Sequence, residues 1–202
     1  MSTLFINACV RDESRTMELS RYFLDGLSDT VHEMKLQDEN MKPLDRETLL
    51  LRDTLIREQI TDHPLLRYAE EFSRADMIVI AAPYWDLMFP ALLKIYLEAV
   101  TVCGVTFRYD ESGVPRGLCR AGQLVYITTA GGPVIRDFGF SYVKELAETF
   151  YGIKQTKCFR AEGLDIIGAD TDGIMQKAQL EIKEWQTQQR TLQNGGNYEE
   201  FF

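Results

Sequence analysis

Residues 76–82 run Asp76-Met77-Ile78-Val79-Ile80-Ala81-Ala82, a nearly continuous apolar stretch that stops at Pro83. A strand with one wet face alternates polar and apolar side chains, so a run with no polar face predicts a strand covered on both sides. That is the setting of a central parallel strand clothed by helices. Working outward, Thr3 to Ala8 (TLFINA) and Gln123 to Thr129 (QLVYITT) have the same character, and Lys157 to Leu164 adds another strand. Thr30 to Leu36 instead alternates through Val31, Glu33, Met34 and Leu36, which suits an edge strand with less cover.

Between these runs the period changes to that of helices. From Ser14 onward, Met17, Leu19, Tyr22, Phe23 and Leu27 form a stripe, with Ser14 or Asp12 as N-cap and Gly26 near the end. Asp45 to Ile60 and Pro64 to Arg74 are helical and separated by a polar break. Pro90 fits the first turn of a helix through Leu92, Leu93, Ile95, Tyr96 and Val100, stopped by Gly104. Val105 to Gly122, with a turn at Ser112-Gly113, predicts an irregular hairpin or flap; Phe140 to Phe150 and Asp170 to Leu192 are the last two helices. Strands alternating with helices predict a three-layer α/β/α sandwich, a doubly wound parallel sheet of five strands. The flavodoxin-like order 2-1-3-4-5 fits five strands better than a six-stranded Rossmann order, and ligands should gather at the carboxyl ends of strands one, three and four.

Composition narrows the function. With 31 acidic against 22 basic side chains, a net charge of -9, the chain lacks the basic surface that a general nucleic-acid binder needs. An anion must then be held locally, by backbone N–H groups and a few arginines. Cys9, Cys103, Cys119 and Cys158 form no metal-type or redox pair, and His32 and His63 give little material for a zinc site or triad. No stretch approaches a membrane span, and the residues after Met1 lack the basic flank and long apolar region of a signal peptide. A reducing cytoplasm is the expected setting. One domain is expected over residues 1–194, with an aromatic and acidic tail over 195–202.

Three loops should converge at the strand ends. In the first, Arg11, Ser14, Arg15 and Thr16 crowd the start of the first helix, where unpaired N–H groups and the helix dipole favour a phosphate. Ser14 could equally be an N-cap only, with the arginines solvated. Neither a Walker A sequence nor GxGxxG follows the first strand. In the second loop, Pro83-Tyr84-Trp85-Asp86-Leu87-Met88-Phe89, flat and soft side chains could shield a planar ring while the N–H groups of Trp85, Asp86 or Leu87 meet its polar edge. Trp85 and Phe89 could also be core or subunit contacts. The third, Thr129-Ala130-Gly131-Gly132, lacks bulk at Gly131 and Gly132, so backbone could approach a ligand and direct N–H groups at it; a plain tight turn is the alternative.

The segment APYWDLMFPALLKIYLEAVTVCGVTFRY, followed by GLCRAGQLVYITTAGG, resembles the FMN-dependent NADH:quinone oxidoreductases known as azoreductases, of the flavodoxin-like NAD(P)H quinone reductase superfamily. The resemblance is strongest from Asp76 to Gly132. It implies that Pro83, Tyr84, Trp85, Asp86 and Leu87 hold an isoalloxazine ring, that Thr129 to Gly132 form the second ring loop, and that Ser14 and Thr16 are the phosphate hydroxyls. The family's ring loop resembles P-M-Y-N-F, so here a carboxylate, Asp86, replaces an amide and Leu87 a Phe. The resemblance further implies FMN as cofactor, NADH or NADPH as cosubstrate, and two-electron ping-pong reduction of a quinone or azo acceptor. It also implies a homodimer with the flap Phe107 to Leu118 and Phe138 helping to build a composite pocket. A flavodoxin-type carrier shares the fold without NAD(P)H turnover. A receiver-type signalling domain would need an acidic residue where this chain has Ala81-Ala82-Pro83.

Overall fold

The computed structural model describes residues 2–195; residues 196–202, where most of the expected tail falls, lie outside the described residues. The parallel sheet is built from β1 (Ser2–Asn7), β2 (Thr30–Lys35), β3 (Met77–Ala81), β6 (Gln123–Thr129) and β7 (Gln155–Ala161), in the order β2-β1-β3-β6-β7. With the hairpin β4 (Phe107–Tyr109) and β5 (Pro115–Gly117) set aside as a separate antiparallel pair, this is the expected 2-1-3-4-5 order. Register brings Asn7 beside Ala81, and Ala81 beside Ile127, so the carboxyl ends of β1, β3 and β6 lie level.

Alternate side chains of each interior strand enter opposite cores. Leu4, Ile6, Ile78, Ile80, Leu124 and Tyr126 pack on one face with residues of α3 (Arg67–Arg74), α4 (Ala91–Val100) and α5 (Phe138–Leu146). Phe5, Val79, Val125, Ile127 and Phe159 pack on the other with Leu19 and Phe23 of α1 (Arg15–Asp25) and Ala178 and Ile182 of α6 (Thr171–Gly195). There Phe23, Phe159 and Trp185 form an aromatic trio with ring centroids 5.5–5.9 Å apart. Truncating the fully buried Phe159 to Ala would cost about 3–5 kcal/mol. Because two helices must serve five strands on this face, α1 and α6 leave the edge strand β2 open, and only Met34 of its six residues is buried.

Several boundaries differ from expectation for local reasons. Ser14, not Asp12, caps α1: its Oγ accepts the Met17 N–H at 3.3 Å. α2 (Arg46–Arg57) begins after Asp45 and ends short of Ile60, and Pro64–Leu66 is a 3-10 turn leading into α3. Pro90 stands at the N-cap of α4 rather than inside it. α4 ends at Val100, before Gly104, because the buried Thr106 hydroxyl takes over its terminal groups, donating to Val100 O and accepting from Val102 N–H. α5 starts at Phe138, capped by Asp137, and runs into a wider π turn over Ala147–Tyr151. β7 ends at Ala161, not Leu164, since Gly163 turns the chain with φ +80°.

Burial also sorts the four thiols. Desolvation pushes Cys119 and Cys158 up to about 12 and raises Cys9 as well, so all three are protonated at neutral pH, whereas Cys103 is exposed. Since the thiolate is the reactive species, a chromogenic thiol reagent at pH 8 should label one cysteine per native chain quickly, and Cys103→Ser should abolish that phase. Two or more fast thiols would contradict this packing.

Candidate functional site

The helix start is where the chain first turns polar. Ser14 in extended backbone ends the loop after β1, and the first-turn N–H groups of Arg15 and Thr16 have no acceptor among the described residues. Thr16 is fully buried, and its Oγ1 lies 2.6 Å from Thr129 Oγ1 at the end of β6. This hydroxyl pair ties the first loop to the third. The second loop is tied in turn: Tyr84 N–H donates to Thr129 O at 3.0 Å, and Tyr84 Oη donates to Arg136 O at 2.8 Å.

A fourth loop, unanticipated in sequence, completes the wall. After β7, Leu164 N–H donates to Ala130 O, Asp165 N–H to Gly131 O and Gly163 N–H to Gly132 O, so two loops run alongside one another. Gly131 leaves room for the Asp165 side chain: a Cβ there would fall 2.2 Å from its carboxylate oxygen, which would have to swing outward. Reading the strand through to Leu164 hid this loop; the available signal was Gly163. Arg160 braces the same region, pairing with Asp137 and lying 3.5 Å from Glu162, whose other oxygen accepts the Val134 N–H at 2.7 Å.

The loops enclose a cleft of about 720 Å³, inside the range of small-molecule sites. Ten of the thirteen residues singled out in sequence line it: Arg11, Ser14, Arg15, Thr16, Pro83, Tyr84, Trp85, Thr129, Ala130 and Gly131. Asp86, Leu87 and Gly132 do not. Asp86 and Leu87 instead border a neighbouring apolar groove with Met88, Phe138 and Tyr142. Trp85 is 38% exposed, a wall residue rather than core. Asp12, Glu13, Glu18, Arg21 and Asp165 add unforeseen charge to the lining.

Two details bear on what the cleft can hold. Arg15 is engaged, donating to Asp165 Oδ1 at 2.8 Å and to Leu164 O at 3.2 Å. With both partners largely in water, that ion pair is worth about 0–1 kcal/mol, so a bound dianion can compete for the guanidinium. Arg11 has no ion-pair partner among the described residues. Ser14 both caps the helix and lines the cleft: its oxygen accepts from Met17, and its hydroxyl also reaches the Cys9 thiol.

The second loop turns sharply. Trp85 and Met88 exchange backbone hydrogen bonds of 3.1 and 2.7 Å around Asp86 (φ 49°) and Leu87 (φ 68°). Trp85 N–H is therefore consumed within the turn, while those of Asp86 and Leu87 have no acceptor among the described residues. Two consecutive left-handed residues make a type I′ turn that favours Asn-Gly; a Leu here costs about 1–2 kcal/mol, strain of the kind concentrated at functional loops. Leu87→Gly should raise the unfolding free energy by about 1 kcal/mol in urea titration; an unchanged or lowered value would show the turn to be unstrained.

A family model described as flavodoxin-like fold matches residues 1–185. The FMN-dependent NADH:quinone oxidoreductase of Coprothermobacter proteolyticus is 33% identical over 187 residues, covering 86% of this chain and 90% of its own length. The FMN-dependent NADH:quinone oxidoreductase 2 of Clostridium acetobutylicum is 34% identical, with 90% and 98% covered. Among solved structures, an azoreductase from Bacillus anthracis superposes with TM-score 0.79 at 21% identity, covering 93% of this chain and 99% of its own. An FMN-dependent NADH-azoreductase from the same species, crystallised with FMN, gives 0.77 at 24%, with 93% and 98% covered. At those identities the superpositions bear on fold, and the sequence matches carry the family: this chain belongs to the flavodoxin-like family of the FMN-dependent NADH:quinone oxidoreductases.

Proposed function

We propose that the protein is an FMN-dependent NAD(P)H oxidoreductase that passes electron pairs to quinone or azo acceptors. The observation that carries this reading is the convergence of Ser14–Thr16, Pro83–Trp85 and Thr129–Gly131 on one cleft. Its donors suit a phosphorylated flavin: orphan N–H groups and a hydroxyl at one helix start, an unpaired Arg11, and apolar and aromatic loop residues opposite. Relatives named for FMN, NADH and quinones support the same assignment.

When bound, FMN supplies the hydride-accepting and hydride-donating chemistry between nicotinamide and acceptor. The chain's part is to hold and orient. The Arg15 and Thr16 N–H groups, the Ser14 hydroxyl and Arg11 would hold its phosphate, and the Arg15 side chain, paired with Asp165, lies within the same lining. Pro83, Tyr84, Trp85, Thr129, Ala130 and Gly131 would flank the ring, and the Gly131 N–H, without an acceptor among the described residues, would be available to it. Asp86 and Leu87 line the adjoining groove rather than the cleft.

The groove itself fits a second copy of the chain. Leu87 and Phe138 are 44% and 49% exposed beside Met88 and Tyr142, an apolar surface at the mouth of the cleft. We take it, with the flap Phe107 to Leu118, as the homodimer face that closes the pocket. Residues 1–194 act as one folding unit in this reading, and the free thiols of the described residues suit a reducing cytoplasm. No described helix is long and apolar enough to cross a membrane.

Purified protein should be yellow or become so with FMN, and anaerobic NADH should bleach the visible band, with colour returning on addition of a quinone. Flavin binding without NADH oxidation would favour an electron carrier; absence of flavin binding by folded protein would overturn the assignment. In sedimentation the protein should be a dimer, and Phe138→Glu should shift it to monomer with loss of turnover. A wild-type monomer with full turnover would rule out the composite pocket.

A further inference from the structure

Beside the main cleft lies a second cavity of about 550 Å³ that the proposed function does not use. It exists because α1 does not reach across β2. Strand alternation puts Val31, Glu33 and Lys35 on this open face, while Met34 turns to the opposite core. Its inner wall is Phe5, Asn7 and Cys9 of β1 and the residues after it; its side is the face of α1 carrying Met17, Arg21, Leu24 and Asp25.

The two cavities adjoin. Both are lined by Val10, Arg11, Asp12, Met17 and Arg21, at the phosphate end of the first. Arg11 and Arg21 therefore stand on the border, and neither has an ion-pair or hydrogen-bond partner among the described residues. Two free guanidiniums at one junction in a chain of net charge -9 form a local anion site. Farther in, Glu33 Oε1 accepts the side-chain N–H of the buried Asn7 at 2.8 Å, which fixes the carboxylate on the shelf with its second oxygen free. A fixed carboxylate near the end of a second strand is well suited to accept hydrogen bonds from a ribose diol. Val10, Val31 and Leu24 offer apolar surface for a base. Asp12 stands at the same junction and Asp25 farther along, so the cavity's charges balance overall and the junction of Arg11, Arg21 and Asp12 keeps a single net positive charge.

We propose that this shelf binds a nucleoside 5′-phosphate, whose phosphate abuts that of the flavin across Arg11 and Arg21. The inference rests on the reading of the first cleft as a flavin phosphate site. The nucleotide would be the adenylyl half of a flavin adenine dinucleotide or part of the ADP half of a nicotinamide dinucleotide. In both, an open edge of the sheet with balanced charge becomes a second nucleotide site without any change of fold.

Titration calorimetry with AMP on FMN-saturated protein tests this. Saturable binding is expected, weakened at least tenfold in Glu33→Gln and lost in Val31→Trp, which fills the shelf from an exposed position outside the first cleft. FMN affinity should change less than twofold in Val31→Trp. FAD binding at least tenfold tighter than FMN, with the advantage lost in Val31→Trp, identifies the flavin dinucleotide as source. FAD no tighter than FMN, together with a raised KM for NADH in Val31→Trp, identifies the nicotinamide dinucleotide. No saturable AMP binding to wild-type protein that does bind FMN overturns the proposal, as does equal AMP affinity in both folded variants. Failure of FMN to bind overturns the flavin reading on which it rests.

Discussion

The contact between Thr16 Oγ1 and Thr129 Oγ1, 2.6 Å long and inside the protein, joins the start of α1 to the end of β6. Parallel strands leave their carboxyl ends level, but levelness alone does not fix the angle at which a helix departs from one of them. A buried hydroxyl pair does. Its net worth is only about 1 kcal/mol, yet stranding one member would cost about 1–3 kcal/mol. The penalty for misplacement thus exceeds the reward for formation. Around this point the free N–H groups of Arg15 and Thr16, the backbone of Thr129 and the Tyr84 side chain keep fixed relations.

Charge is arranged on the same scaffold by pairing rather than by net balance. The acidic chain commits many of its arginines to carboxylates: Arg67 to Glu39, Arg116 to Asp110, Arg120 to Asp76, Arg160 to Asp137. Arg15 is lightly held, and Arg11 and Arg21 are without ion-pair partners among the described residues, all three at one end of α1 or along it. Arg11 and Arg15 thereby stand where the helix dipole already favours an anion. A global positive potential is unnecessary.

The fold was legible because its interior strands carry the two-sided apolar runs that only a parallel sheet explains; DMIVIAA and QLVYITT land on β3 and β6 nearly residue for residue. Ten of thirteen candidate residues meet in the cleft for the same reason, since strand ends deliver them there. What could not be read depended on backbone direction or distant pairing. Asp86 and Leu87 turn away because the chain doubles back between Trp85 and Met88. Gly131 makes room for Asp165, a residue 34 positions later whose approach no local pattern announces. Thr16 is consumed by a partner 113 residues away.

The account stands or falls on whether that hydroxyl pair sets the geometry of the phosphate site. FMN dissociation constants for the wild type, Thr16→Ser, Thr16→Val and Thr16→Val/Thr129→Val measure it directly. Thr16→Val should bind FMN about tenfold more weakly, equivalent to about 1.4 kcal/mol, Thr16→Ser should stay within a few-fold, and the double variant should be no weaker than the worse single one. A Thr16→Val protein that binds FMN as tightly as the wild type would contradict the account.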